Sequence, residues 1–492
     1  MRRSDKKPVL NDHFIKKKFV RNIAWHSGGN FLDRLIGLGI AIYLARVLGS
    51  EGYGAIGVAL AYVSYFAILV ESGIEPQGVR DVAQNPDKLP EVFARIIGIR
   101  LIFSVVTWLA LALSLQLLPL SLATNNELIL IYSLSIFVTA ATASWAFRGL
   151  EKFKIIATVQ TCQSIVMGVG IVLFVRGDFP DLRLVPVVYL VSVSVTAVWY
   201  YAALRQRFGA LTLIFSKDVL LPVFRESLPI ALGRFMRKIY SEGNILLMGW
   251  LGTAAATGYF LASQKIILSL FVIGVILQQV AFPLISKLVP TQPENAVLIE
   301  INLLRYLLLV LTPILVLCAW YADPLIQLIF GSEYSASAPV FFFMLFTLPA
   351  VIFNRGLQDL LIARRASRYF LIGNAIGAIF VVGLAIWWIP LYSGVGAALA
   401  SLVGETVGVV ILLVFVRQLF GTDVSLLWVV SIALAAVLMA GVLWLTDTWT
   451  PVMQYILAGG SYGIAVLLFK VLSRDELVFM KKHISIFLLH RR

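Results

Sequence analysis

Between residues 20 and 471 the chain repeats one pattern: an apolar run of about twenty residues, a short polar break, and another apolar run. At about 1.5 Å per residue a helix of that length matches the hydrocarbon thickness of a bilayer. Lipid offers no partner to a backbone N–H or C=O, so the spanning segments must be helices or a closed barrel. The alternating strands of a barrel are absent. Only 13% of the residues are charged and 60% are hydrophobic, against roughly 25% charged in soluble domains. The chain reads as an all-α polytopic membrane protein.

Fourteen spans are expected, near 20–43, 54–73, 95–118, 127–147, 155–175, 185–203, 228–250, 258–282, 302–321, 337–360, 369–389, 395–416, 426–445 and 452–471. Lys and Arg set their direction. With a cytoplasmic N-terminus, 31 of the 40 Lys and Arg fall in inside segments, and Arg46, Arg176 and Arg183 fall outside. The remaining six, Arg34, Arg234, Arg237, Lys238, Lys265 and Arg355, lie within spans. The seventh span is the anomaly, because a charge at mid-membrane costs about 2.5–3.5 kcal/mol. If it did not cross, the 12 inside cations after it would move outside. The count therefore requires it to cross and predicts both termini in the cytoplasm, in a multi-pass cell (inner or cytoplasmic) membrane protein.

The first and seventh spans match as counterparts. Each opens a run of six helices, and Leu48-Gly49…Gly52-Tyr53 after one parallels Leu251-Gly252…Gly258-Tyr259 after the other. A parallel repeat fits, since six spans preserve direction. The expected division is a basic cytoplasmic tail (1–19), a first lobe of helices 1–6 (20–215), a second lobe of helices 7–12 (216–422), helices 13–14 (423–472) and a cytoplasmic amphipathic tail (473–492). The N-terminus is basic like a signal peptide, but Asp33 and Arg34 interrupt its apolar run, which predicts an uncleaved first helix. Cys162 and Cys318 lie in apolar runs without a CxxC partner or a His cluster, and read as packing residues.

Five stretches carry a resemblance: ARVLGSEGYG (45–54), SWAFRGLEKFKIIA (144–157), LGTAAATGYFLASQKI (251–266), IFGSEYSASAPVF (329–341) and IPLYSGVGAALASLVGE (389–405). On these the chain resembles the Wzx-type oligosaccharide (polysaccharide) flippases of the multidrug/oligosaccharidyl-lipid/polysaccharide exporter superfamily. The resemblance implies two six-helix lobes around a central cavity, with two C-terminal helices outside them. It departs at ESGIEPQGVRDVA (71–83), where the family has an Asp-Phe-Gly-like start, so no role is carried over to Glu71.

Helix spacing selects the candidate site. Asn22, His26, Asn30 and Arg34 form one stripe at four-residue intervals, with Asp33 beside it. Arg234, Lys238 and Glu242 form another, with Arg237 adjoining. Lys238 lies about 15 Å along its helix, too deep to reach the headgroups easily. Glu242 can pair with Lys238, but one carboxylate cannot balance three cations. Arg34, Arg234, Arg237, Lys238 and Lys265 are therefore the expected cavity cations, and Asp33, Glu242 and Glu405 the candidates for coupling or charge balance. Arg355 and Asp359, four apart, are an expected ion pair.

The resemblance and these cations together predict a flippase. It would carry an anionic lipid-linked oligosaccharide, on an isoprenyl phosphate or pyrophosphate, from the cytoplasmic to the outer leaflet for surface polysaccharide synthesis. The alternatives are a multidrug exporter of the same fold, which calls for an acidic cavity, and a membrane glycosyltransferase, which calls for an acidic loop site. Without GxxxxGK[ST] the chain has no P-loop for ATP. No enzyme activity, cofactor, metal or nucleic acid is expected. Membrane lipid, the lipid-linked oligosaccharide and candidate polymerase and assembly proteins are the expected partners.

Overall fold

The computed structural model describes residues 12–71, 74–117, 124–176, 181–209, 211–214, 234–236, 238–240, 242–422 and 425–471. These are helical, with no strand among the described residues. In chain order they comprise α1 (Asp12–Glu71), α2 (Ile74–Gln84), α3 (Leu89–Leu117), α4 (Asn126–Ser133), α5 (Ser135–Ala141), α6 (Ser144–Gly149), α7 (Phe153–Phe174) and α8 (Leu184–Phe208). A helical stretch at 242–250, here α9, follows. Then come α10 (Ala254–Leu288), α11 (Pro293–Trp320), α12 (Ala322–Phe330), α13 (Ser337–Leu345), α14 (Thr347–Ala363), α15 (Ser367–Phe420), α16 (Leu427–Leu445) and α17 (Pro451–Leu468).

Eleven helical segments among the described residues are long and apolar enough to cross a membrane. Two of them each hold two expected spans, as two helices that meet at a sharp non-helical break with no loop between them. In α1 the break is Gly49, at φ 65° and ψ 179°, a conformation that costs glycine little and other residues more. In α15 it is Ser393, at φ 54°, three residues after Pro390. Lipid-facing surfaces are apolar, as expected where no water must be met: Val106, Val198, Ile379, Val437 and Ile456 are each more than half exposed.

The helices pack as two groups. In the first, α1 lies against α3, α4, α5 and α7, with α8 closing on α4, α5 and α7. In the second, α10 lies against α11, α13, α14 and α15. The pair α16–α17 packs on itself and on α11, where the Tyr462 hydroxyl donates to the Leu309 carbonyl at 2.9 Å. The two groups meet along α1 and α10, the most extensive helix–helix seam among the described residues.

Candidate functional site

Polar groups gather where α1, α9 and α10 converge. Lys238 pairs with Glu242 one turn further on, as four-residue spacing requires. Tyr65 of α1 covers the pair: the Lys238 ammonium is 6.0 Å from its ring centre, and its hydroxyl donates to the Lys238 carbonyl at 3.1 Å. Phe235 meets the same ring edge-on. From α10, Lys265 lies within electrostatic reach of the Glu242 carboxylate. One carboxylate thus pairs with one ammonium group and acts electrostatically on a second, at a place where both helix groups contribute.

A second polar region lies inside the second group. A cavity of about 250 Å³ is lined by Tyr240, Asn244, Asn354, Arg355, Gln358 and Glu405 among apolar residues. Its amides form a chain. Asn354 donates to the Tyr240 hydroxyl at 2.8 Å and to the Glu405 carboxylate at 2.9 Å, and Tyr240 also hydrogen-bonds Glu405. Gln358 donates to the side-chain carbonyls of Asn354 and Asn374 at 2.7 and 3.2 Å. Asn244 donates to the Ser401 hydroxyl at 2.6 Å and the Ala397 carbonyl at 3.1 Å. Linked in this way, α14 and α15 are registered on the stretch that carries Lys238.

At the end of the molecule where Leu48–Tyr53 and Ile329–Tyr334 lie, which the charge count expects outside, the groups are bolted together. Arg46 donates to the Ile329 and Leu328 carbonyls at 2.9 and 2.5 Å. The Ser50 N–H donates to the Glu333 carboxylate at 2.9 Å, and its hydroxyl reaches the same oxygen at 3.2 Å. The Tyr334 hydroxyl donates to the Ala45 carbonyl at 3.0 Å. Burial above all, then the phenol of Tyr53 and the carboxylate of Glu333, raises the Tyr334 phenol above its ordinary value, so it keeps the proton it donates. The helices touch backbone to backbone here. A Cβ at Gly54 would stand 1.8 Å from the Ala254 carbonyl oxygen, and one at Gly258 would stand 2.0 Å from that of Ser50. Three of the five resembling stretches therefore build one seal.

At the other end of the first group, Arg100 is buried, with 1% of its surface exposed. It donates to the Thr139 and Thr142 carbonyls at 2.7 and 3.0 Å, and lies 3.7 Å from Glu75. Glu75 also pairs with Arg148 at 3.0 Å. The SWAFRG stretch is thereby tied to α2 and α3.

Of the expected site residues, Lys238, Glu242 and Lys265 come together, and Arg355 and Glu405 both line the cavity of the second group. Arg34 and Arg234 are exposed. Asp33 is half-buried and accepts a hydrogen bond from Ser164 of α7. Asp359 lies within electrostatic reach of Glu300 on α11. Arg237 and the side chains of Glu71, Asn22, His26 and Asn30 lie outside the described residues, as do residues 228–233 of the expected seventh span and the tail 473–492. The amide chain escaped the sequence reading because uncharged residues do not register in a charge count; the Asn354/Gln358 four-residue spacing was its one signal. Glu333 passed as an ordinary loop acid.

Comparison with known proteins places this geometry. Residues 19–289 match the family described as Polysaccharide biosynthesis protein. The chain is 23% identical to the "Putative O-antigen transporter" of Escherichia coli K12 over 396 residues, which cover 76% of this chain and 91% of that one. It is 22% identical to the protein of the same name from Shigella dysenteriae over 335 residues, 66% of this chain and 80% of that one. Among solved structures it superposes on the lipid II flippase MurJ in an inward closed conformation with a TM-score of 0.75, at 14% identity, covering 92% of this chain and 99% of that chain. An inward-facing multidrug resistance MATE family transporter of the MOP superfamily gives 0.61, at 15% identity, covering 80% and 96%. With more than half its length matched, and with this fold, the chain belongs to the polysaccharide biosynthesis protein family and is a multi-pass membrane protein of the MurJ and MATE fold.

Proposed function

We propose that the protein is a flippase. It moves a lipid-linked oligosaccharide, anionic through its isoprenyl phosphate or pyrophosphate, from the cytoplasmic to the outer leaflet of the cell membrane for surface polysaccharide synthesis. The observation that carries this reading is the Lys238–Glu242–Lys265 cluster, formed where both helix groups contribute and carrying more positive than negative charge. A phosphate entering there exchanges its water for ammonium groups, each a strong charge-assisted donor. The names of the relatives and of the MurJ neighbour support the same substrate class. On this reading Arg34 and Arg234, both exposed, and Arg237, outside the described residues, are the further cations for the substrate, and Asp33, Glu242 and Glu405 are the groups proposed for coupling.

The bolted seam between α1 and α10 supports alternating access, with a first lobe (20–215) and a second (216–422) rocking about the cavity. The cavity faces the cytoplasm while the seam is closed. Parting Arg46 and Glu333 from their partners opens the other side. With the cell interior negative, outward movement of each anionic charge is favoured by about 2.3 kcal/mol per 100 mV, so potential alone suffices in direction. The protein transports and does not transform its substrate. In a strain lacking the gene, the wild-type chain restores surface glycan, while a variant with Arg34→Ala and Lys238→Ala inserts normally and restores none. Normal glycan in that variant would sink the reading.

A further inference from the structure

The cavity does not use one buried acid. Glu300 lies on α11, two turns in from Pro293, with none of its surface exposed. Neither carboxylate oxygen has a hydrogen-bond partner among the described residues. Gly356 of α14 packs directly on it: a Cβ there would stand 2.2 Å from Oε1. Any side chain at 356 would displace the carboxyl, so the glycine makes the room that the group occupies.

The charges on the helices that pack around α11 do not neutralise it. They are Lys265 and Lys287 on α10, Asp323 on α12, Arg355 and Asp359 on α14, and Arg368, Glu405 and Arg417 on α15, with Glu294 and Arg305 on α11 itself; α13 and α16 carry none. No ion pair reaches Glu300 among the described residues. The neighbour in electrostatic reach is Asp359, of the same sign. An ionised carboxylate stripped of water with neither donor nor counter-ion costs several kcal/mol, and accepting a proton removes most of that cost.

We infer that Glu300 is a proton-binding site, holding H⁺ as a neutral carboxyl while α11 and α14 are packed as here and releasing it to water when they part. The step balances simply: the carboxyl O–H breaks, its electron pair stays on the carboxylate, and the proton passes to water. Where the helices part as part of the transport cycle, flipping becomes pH-sensitive; that half of the inference rests on the flippase reading, and the protonation itself does not.

The full chain in lipid nanodiscs tests both halves. Infrared spectra at neutral pH should show the C=O stretch of a protonated carboxyl in the wild-type chain and lose it in Glu300→Gln. Selective ¹³C-glutamate labelling of the wild-type chain should shift the same band, which tests the assignment without any substitution. Flipping of a fluorescent polyprenyl-phosphate sugar in proteoliposomes should change about fivefold between about pH 6 and pH 8 in wild type, and less than about twofold in Glu300→Gln. A band that persists in the variant, or that ¹³C-glutamate does not shift, overturns the proton site. A band lost while the variant keeps the wild-type pH response overturns the exchange with water. The band in a wild-type chain that flips nothing at any pH supports the proton site and counts against the flippase reading alone.

Discussion

The seam at Gly54 gives the sharpest test of alternating access. A carbon normally approaches a carbonyl oxygen to about 3.3 Å, so the Cβ of Gly54→Ala, placed 1.8 Å from the Ala254 carbonyl, must push α1 and α10 apart by about 1.5 Å. The Ser50–Glu333 bond, 2.9 Å long, then exceeds hydrogen-bonding reach. A bond to a charged acceptor contributes about 1.5–3 kcal/mol; with Glu333 exposed, about 1 kcal/mol is the appropriate share. A gap of about 1 Å also forfeits up to half of each dispersion contact along the seam, another 1–2 kcal/mol or so. The closed state should lose roughly 2–3 kcal/mol, which shifts its ratio to the open state by about 30- to 150-fold. The assay is thiol labelling from outside. In a chain with Cys162 and Cys318 replaced by serine, Thr257→Cys is fully buried in the closed seam. A membrane-impermeant maleimide should label it more than about tenfold faster with Gly54→Ala, and about fivefold faster with Glu333→Ala, which removes the bond but not the contact. Labelling of both variants at the parent rate, each inserted at wild-type level, would refute the seam as the gate.

Two further outcomes follow from ion pairs. Glu75→Gln leaves Arg100, 1% exposed, without the carboxylate 3.7 Å away; it should destabilise the first group by about 2–4 kcal/mol, read as a lowered thermal unfolding midpoint in detergent, and an unchanged midpoint contradicts the role given to the cluster. Glu242→Gln removes the anion between Lys238 and Lys265, and should tighten binding of polyprenyl phosphate about tenfold; weaker binding, measured by titration calorimetry, would mean that Glu242 positions the ammonium groups rather than competes with the phosphate.

Much of the architecture was legible because the bilayer forces it. Apolar length alone located the eleven apolar helical segments, while the crossing of the polar segment at 228–250 rests on the charge count, residues 228–233 lying outside the described residues. The breaks at Gly49 and Ser393 fall between the expected spans, where LGSEGYG and the Pro390 stretch signal a turn, but their tightness, with no loop between the helices, was not legible. The Lys238–Glu242 pair followed from four-residue spacing, but Tyr65 closing over it depends on how α1 meets α9, a tertiary fact with no local pattern. Glu300 was hidden by its setting: PENAVLIE reads as a loop, yet Pro293 occupies the first helical turn, where its missing N–H costs nothing, and the helix is already running when it reaches the acid. Glu333 lies within a resembling stretch but drew no role from the sequence, because its partner is the main chain of Ser50.

The last two helices also bear on motion. Tyr462 holds the Leu309 carbonyl, and the Tyr321 hydroxyl, just past the end of α11, donates to Gln454 at 2.5 Å, so α17 is moored to α11 and its C-terminal end, with α16 packed on both helices. Any displacement of α11 drags this pair sideways through the bilayer, and each carries a broad lipid-contacting flank, with Trp444 and Leu468 about 70% exposed. In the proposed cycle they would act as an outrigger, with lipid flowing out of their way before the α11–α14 contact opens. Bilayer viscosity and lateral pressure would then be inputs to the proposed cycle, and a more ordered membrane should slow the step proposed to uncover Glu300 more than the step that parts α1 from α10.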